Sequence, residues 1–356
     1  MACNRSEWRS VFAMLAVDVM LAVMNTMVKK VMEEGMNKLI LITLRQLIAT
    51  LFMAPIAYFH ERKTRPKLTV EIFVYIFFSA LIGVSLMQFL FFLGLHYTSA
   101  TFAYAFLNVS PVFTFLISLA LRMESLNPKT KAGIAKAIGA TVCFTGVIVL
   151  MFYKGVALNQ APHRSTASAQ PQSPLPPAMS YTSSAWLMAS LALLAGCFCL
   201  SSWFPLQSKL GEKYPALYSC TALMFFLSFL QTAAMSLATV RGHSVWLLRK
   251  KLEIATVIFS GFAGSGLGFL AMSWCVEQRG PVFTAAFMPF VQIFGAGIDF
   301  TILHEQVYLG SVLGSVLVIA GLYSLLWGKN KEARSCAAKA AEGNGENQVQ
   351  VQLQSV

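Results

Sequence analysis

The stretch IFVYIFFSALIGVSLMQFLFFLGL, residues 72–95, decides the fold class, because it contains no charged side chain and is long enough to cross a bilayer. A bilayer core about 30 Å thick needs roughly 20 apolar residues in a helix. The whole chain has the same character: 56% of its 356 residues are hydrophobic and 12% are charged, whereas soluble domains carry about 25% charged residues. We therefore predict an all-α polytopic membrane protein.

Further apolar runs of this kind predict ten transmembrane helices, near residues 11–29, 39–59, 72–95, 99–121, 134–153, 185–206, 215–238, 253–275, 281–302 and 308–327. The runs lack strict alternation, which excludes a closed barrel. Residues 154–184 are rich in Pro, Ser and Gln, which predicts a linker between two five-helix halves, residues 11–153 and 185–328. Residues 1–10 form an N-terminal segment, and the polar residues 329–356 predict a disordered tail.

The net charge of +12 arises from 27 Lys and Arg against 15 Asp and Glu. These residues lie at the ends of apolar runs and form no basic face with interleaved aromatics, so nucleic acid is not expected as a partner. With the N-terminus inside, seventeen basic residues fall on the inner side and nine on the outer side. This asymmetry predicts that both termini are cytoplasmic, although Arg249–Lys251 lies against it.

The two halves resemble each other when the chain is shifted by 181 residues. Residues 78–124 then align with 259–305 without a gap, and ten pairs are identical, including Glu124 with Glu305 at helix ends. Because each half has an odd number of helices, the second half enters the membrane inverted, which is typical of secondary transporters. The pattern predicts a substrate path between the halves. Glu124 and Glu305 are either gating residues or helix-end residues near loop cations.

Asp18 and Arg45 are ionisable residues inside the first two predicted spans. Inserting an ionisable residue into a membrane helix costs roughly 2.5–3.5 kcal/mol, so each one is expected to have a structural or functional role. Asn25 follows Asp18 two turns later on the same helix face. We expect all three to be candidates for the substrate path. The alternative for Asp18 and Arg45 is a purely structural pair.

Two prolines interrupt predicted spans at related positions, Pro111 in span 4 and Pro289 in span 9. A proline inside a helix frees backbone carbonyl groups, and paired interruptions are typical of transporter binding sites; ordinary kinks are the alternative. Tyr104 and Asn108 share the face of Pro111 and are path candidates.

Further path candidates are polar or amphipathic residues of spans 3, 6 and 9, although each alone is more often a contact between helices. They are Gln88, Trp203, Gln207, Gln292 and Asp299.

No catalytic, metal or cofactor motif is present in the sequence. The five histidines form no H-E-x-x-H, no Gly-x-Ser-x-Gly elbow occurs, and the seven cysteines lack metal or disulfide spacing. We expect no enzyme, no cofactor and no metal; an intramembrane enzyme is the alternative.

Several motifs resemble the plant walls-are-thin-related, nodulin-21-like proteins, which are EamA-domain members of the drug/metabolite transporter superfamily. The motifs include Tyr97-Thr-Ser-Ala-Thr-Phe-Ala103, Arg122-Met-Glu124, Lys213-Tyr-Pro-Ala216, Arg279-Gly-Pro-Val-Phe283, Glu305-Gln-Val-Tyr-Leu-Gly310 and Gly321-Leu-Tyr-Ser-Leu-Leu-Trp-Gly328. The resemblance covers about residues 10–330. It implies ten helices in two EamA repeats and bidirectional movement of amino acids or, in some members, auxin. It also implies residence in the plasma membrane or, second, the vacuolar membrane. Relatives often have Gln where this chain has Asp18.

The sequence thus favours a facilitator or secondary carrier of small organic solutes, with amino acids first, working by alternating access in the lipid bilayer, as a monomer or a homo-oligomer. Arg45 is expected to pair with a substrate carboxylate, and Asp18 or Asp299 to hold an ammonium group or to titrate. The alternatives are a carrier of auxin or another organic acid, a nucleotide-sugar carrier, and a non-transporting scaffold or sensor. A nucleotide-sugar site needs several converging cations, and only Arg45 lies deep in a span.

Overall fold

The structure is a computed structural model that describes residues 2–97, 103, 106–124, 130–153, 183–240, 246–248, 250–298, 309–310, 312–329 and 331–332. Within these ranges the chain is helical and contains no strand. The helices are α1 Ala2–Glu33, α2 Lys38–Glu61, α3 Val70–Ala80, α4 Met87–Tyr97, α5 Ser110–Ala120, α6 Lys131–Phe152, α7 Ser183–Lys213, α8 Leu217–Thr239, α9 Lys251–Phe259, α10 Gly268–Arg279, α11 Pro281–Ala285, α12 Met288–Ile298 and α13 Val312–Lys329.

Seven helical segments of the described chain are long and apolar enough to cross a membrane. They are Trp8–Glu33, Lys38–Glu61, Val70–Tyr97, Leu187–Lys213, Leu217–Thr239, Lys251–Arg279 and Val312–Lys329. Two shorter apolar helices, Ser110–Ala120 and Pro281–Gly295, add to these. Large apolar side chains such as Phe59, Val70 and Leu237 lie exposed on the outside. The chain is therefore a multi-span membrane protein whose outer surface suits lipid.

Two of the long segments contain a π-helical section in the middle. Section π1, Leu81–Leu86, joins α3 to α4, and section π2, Ser260–Leu267, joins α9 to α10. A π-helix accommodates an extra residue in its turn, which changes the direction of the side chains that follow, and it occurs often at functional sites. The two sections therefore set which side chains point to the interior.

Local sequence explains where several helices begin and end. The side chains of Asn37, Thr69 and Thr130 accept N–H groups in the first turns of α2, α3 and α6. Gly280 has a φ of 85°, which only glycine adopts without strain, and Pro281 then begins α11. This pair makes the sharp turn between α10 and α11.

Close helix contacts position the interior. Helix α2 packs along α8, where the hydroxyl groups of Thr43 and Ser236 are 2.8 Å apart. Helices α6 and α13 approach so closely that a Cβ on Gly139 would lie 2.6 Å from the Gly321 carbonyl oxygen. Small residues permit this close packing in lipid, where hydrocarbon gives little drive for association.

Candidate functional site

A central cavity lies between the helices, with about 580 Å³ of empty space. Its walls come from α1, α2, α4, α7, α10 and α12 and from the short turn before α5, and most of the lining is Leu, Met and Phe. The polar side chains that line it are Asn25, Arg45 and Gln88. An apolar enclosure with a few placed polar groups is the usual form of a small-molecule site.

Arg45 is the charged side chain of this lining, and it is only 2% exposed. Its Nε donates a hydrogen bond to Ser265 Oγ in π2, at 2.6 Å. Among the described residues, no Asp or Glu forms an ion pair with it. Ser265 therefore fixes the Nε edge of the guanidinium but does not neutralise its positive charge.

Glycines of π2 allow this approach to Arg45. A Cβ on Gly261 would lie 2.8 Å from the Arg45 carbonyl oxygen, and a Cβ on Gly264 would lie 2.2 Å from Met24 Sδ. Larger side chains would push π2 away from α2 and carry the Ser265 hydroxyl with it. Sequence reasoning missed Ser265, since no sequence signal marked the π-helical register.

Gln88 reaches the cavity from α4 and contacts α2. Gln46 Nε2 donates to Gln88 Oε1 at 2.9 Å, which fixes the orientation of the Gln88 amide. The Gln88 Nε2 group is buried and has no hydrogen-bond partner within the described part of the chain. A donor therefore remains for a ligand in the cavity that Gln88 lines.

Asn108 and Gln292 meet beside the cavity, and their neighbours Leu107 and Val291 line it. The Asn108 Nδ2 group donates to Gln292 Oε1, and both residues are buried. Asn108 Oδ1 has no partner among the residues that the structure describes. The pair joins residues 106–124 to α12, which lie far apart in the sequence.

Both predicted proline interruptions coincide with breaks in the helices. The chain makes a turn at residues 108–109, and Pro111 is the second residue of α5. A second turn occupies residues 286–287, and Pro289 is the second residue of α12. Proline tolerates the start of a helix because its missing N–H group is not needed there. Asn108 and Met288, next to these turns, are both buried, and Met288 lines the cavity.

Asp18 is fully buried in α1, yet it does not line the cavity. Leu21, one turn later in the helix, does line it. Neither carboxylate oxygen of Asp18 has a hydrogen-bond partner in the described ranges, and no ion pair joins Asp18 to Arg45 there. The structural pair weighed as an alternative is thus not formed.

Trp203 and Gln207 of α7 lie outside the cavity lining. The Trp203 ring packs against the Phe269 ring at 5.1 Å, and Phe269 itself lines the cavity. A Cβ on Gly83 would lie 2.0 Å from Trp203 Cδ1, so the indole fills a space that π1 leaves open. Gln207 is buried nearer the α7 end and interacts with the Cys220 thiol.

Glu124 belongs to a cluster of charges at one end of the bundle. It pairs with Lys136 at 3.3 Å and with Lys329, and Lys136 also pairs with Glu332. Lys136 is only 1% exposed. The cluster connects the loop after α5 to α6 and α13, which favours a helix-end role for Glu124.

Three other predicted site residues, Glu305, Tyr104 and Asp299, lie outside the described residues, as do residues 154–182 of the predicted linker.

A weaker pair lies at the opposite end, between Glu34 after α1 and Lys250 before α9. Their charged atoms are 2.9 Å apart, and the hydrogen bond that Lys250 donates to Glu34 raises the pKa of Lys250. About a third or more of each side chain is exposed, so solvent screening leaves the pair little net contribution to stability.

In the described part of the chain, no group of three or more His, Cys, Asp or Glu residues could hold a metal ion.

The chain is similar to several known proteins. A family model described as the EamA-like transporter family matches residues 8–152 and 187–327. A WAT1-related protein of Arabidopsis thaliana is 42% identical over 332 residues, covering 93% of this chain and 90% of the relative. A second one is 42% identical over 330 residues, covering 91% and 87%. A solved crystal structure that covers 88% of this chain and 98% of its own has a TM-score of 0.61 at 15% identity, which shows a shared fold.

Proposed function

The chain belongs to the EamA-like transporter family, and from this premise we propose that it carries small organic solutes across a membrane by alternating access. The WAT1-related relatives place it among plant EamA-domain proteins and favour a transporter over an enzyme. Amino acids are the substrates that the cavity suits best, and movement occurs in either direction.

Arg45 is the observation that carries this proposal. It is a buried cation on the cavity, with one edge fixed by Ser265 and without a carboxylate partner among the described residues. An unpaired buried charge is costly, and a partner that brings the opposite charge removes much of that cost. With Nε occupied, the two terminal nitrogens remain for a carboxylate, which the planar guanidinium binds in a bidentate manner.

The other polar groups suit the rest of an amino acid. Asn25 and Gln88 line the same cavity, and the Asn108–Gln292 pair lies beside it with one free acceptor. Asp18 is two turns from Asn25 on the same helix face. It would hold the α-ammonium group or accept a proton as the substrate passes, with Asp299 as the other candidate for that role. Gln207 would contact polar groups further along the path.

We also propose ten spans in two inverted five-helix repeats, with both termini cytoplasmic and the plasma membrane as the first location. The family model matches the chain twice, once in each half. A shift of 181 residues takes the residues of π1 to positions 262–267, inside π2. Each half also has a helix that restarts just before a proline. These features are what an inverted repeat would produce.

Auxin or another organic acid is the second candidate class, because it also brings a carboxylate to Arg45. A nucleotide-sugar substrate is disfavoured, since its phosphates need several converging cations and the described cavity lining supplies Arg45 alone. A scaffold or sensor would not need a buried cation on a cavity between the helices.

The test replaces Arg45 by Ala and by Gln and measures transport at matched surface expression. We expect both variants to lose most of the transport of labelled amino acids. Arg62→Gln is the matched control, because Arg62 is exposed and contacts the Tyr58 ring at the bundle end. Unchanged transport in both Arg45 variants would refute the role of Arg45 as the carboxylate partner.

A further inference from the structure

A second concavity lies on the outer surface, between α1, the start of α8 and the segment from π2 into α10. One wall is formed by Ala13, Ala16 and Met20, the other by Leu270 and Trp274, and Tyr218 closes one end. We call it the α1/α8 groove. It has about 900 Å³ of empty space, its lining contains no Asp, Glu, Lys, Arg or His, and it shares no lining residue with the central cavity. In a membrane-spanning bundle, such a groove faces hydrocarbon.

Arg9 lies at the mouth of the α1/α8 groove. It precedes Ala13, Ala16 and Met20 by four, seven and eleven residues in one continuous helix, so all four share a face. Arg9 is exposed, and no ion pair with it occurs among the described residues. The positive charge of Arg9 therefore lies where the apolar groove meets the layer of lipid headgroups.

Further polar groups complete the mouth on the opposite side. The His60 ring is exposed and lies 5.3 Å from the ring of Tyr218. Gln278 is exposed and follows Trp274 by one turn. The nearby carboxylate of Glu61 accepts the backbone N–H groups at the start of α8 at 3.0 and 2.6 Å. Both oxygens of that carboxylate are engaged by α8, and Arg9 is the residue that offers a positive charge at the mouth.

We propose that the α1/α8 groove binds an anionic glycerophospholipid, with its phosphate on Arg9 and one acyl chain along the groove. The charge of Arg9 matches the headgroup, and the alanines on the α1 wall leave a furrow that a chain can fill. The bound lipid holds α1, which carries Asp18 and Asn25, against α8 and α10. This inference is independent of the transported solute and of which membrane face the N-terminus occupies.

Fluorescence quenching by brominated lipids tests the site through Trp274. Trp8, Trp186, Trp246 and Trp327 are replaced by Phe in a variant that keeps the fully buried Trp203 as an internal reference. The protein is placed in phosphatidylcholine nanodiscs containing a low mole fraction of brominated phosphatidylglycerol or brominated phosphatidylcholine. We expect several-fold stronger quenching by the phosphatidylglycerol, because the site concentrates it beside Trp274.

Arg9→Gln should abolish this excess quenching, whereas Arg62→Gln, at another exposed arginine of the same bundle end, should leave it intact. If the tryptophan replacements destabilise the protein, the unsubstituted protein in detergent serves instead. Phosphatidylglycerol should raise its melting temperature, because a ligand that binds only the folded state stabilises it, and Arg9→Gln should remove the rise. Equal effects of the two lipids, or an excess that survives Arg9→Gln, would overturn the proposal.

Discussion

Ser265→Ala isolates the contribution of the π2 section to the site. The Arg45 Nε to Ser265 Oγ distance is 2.6 Å, and both residues are buried. A hydrogen bond to a charged group contributes about 1.5–3 kcal/mol, and each 1.4 kcal/mol corresponds to a tenfold change in affinity. Removing the hydroxyl leaves Nε without its acceptor and lets the guanidinium turn. We therefore expect the apparent affinity for a carboxylate substrate to fall by about tenfold or more.

The assay compares the apparent KM for a labelled amino acid with that for its carboxamide in the unsubstituted protein and in Ser265→Ala. The loss should be large for the amino acid and small for the carboxamide, which cannot pair with Arg45 as an anion. Ser260→Ala is the matched control, because its hydroxyl lies in the same π-helical section and, among the described residues, donates to the Val257 carbonyl at the end of α9, at 3.2 Å. Ser265→Thr keeps the hydroxyl and should restore much of the affinity.

An equal rise in KM for the amino acid and the carboxamide would show that Ser265 matters only for packing. An unchanged KM for both would refute the reasoning that this hydrogen bond positions Arg45 for a substrate carboxylate.

Three further predictions concern stability, followed as the melting temperature in detergent. Gly83→Ala should lower the free energy of unfolding by about 1–3 kcal/mol through overpacking, since the new Cβ would lie 2.0 Å from Trp203 Cδ1. Adding Trp203→Leu should restore part of that loss. An unchanged melting temperature in Gly83→Ala would contradict this contact. Glu61→Gln should cost about 1.5 kcal/mol by weakening charged bonds to two N–H groups of α8, whereas the exposed Glu71→Gln should change little. Lys136→Met should cost about 1.5–3 kcal/mol, because Glu124 loses one of its two lysine partners and Glu332 loses its bond to Lys136. An unchanged melting temperature would show that Lys136 adds nothing to the cluster.

The helical membrane fold was predictable because lipid demands long apolar runs. The run at residues 72–95, for example, lies within the helical segment Val70–Tyr97. The ends were less predictable: α1 extends from Ala2 to Glu33 around a run predicted at 11–29. Helix formation continues into polar flanks, whereas hydropathy reports only the part that lipid covers.

The site was predictable as a set of residue types and not as a geometry. A buried charge in a span is costly, and that cost identified Arg45, which the structure places on the cavity. The partner of Arg45 was not predictable, because it depends on the π-helical register that presents Ser265. Asp18 was considered as that partner, yet the described structure forms no such pair, because pairing depends on how α1 and α2 pack. No pattern in the sequence indicates how these two helices pack.

The most direct test of the central claim expresses the protein in oocytes and follows efflux of a preloaded mixture of labelled amino acids at two external pH values. We predict efflux above that of uninjected oocytes, lost in Arg45→Gln at equal surface expression. Efflux that follows the proton gradient, and becomes pH-independent in Asp18→Asn, would identify Asp18 as the group that accepts the proton. No efflux of any labelled amino acid, with the protein shown at the cell surface, would contradict the account.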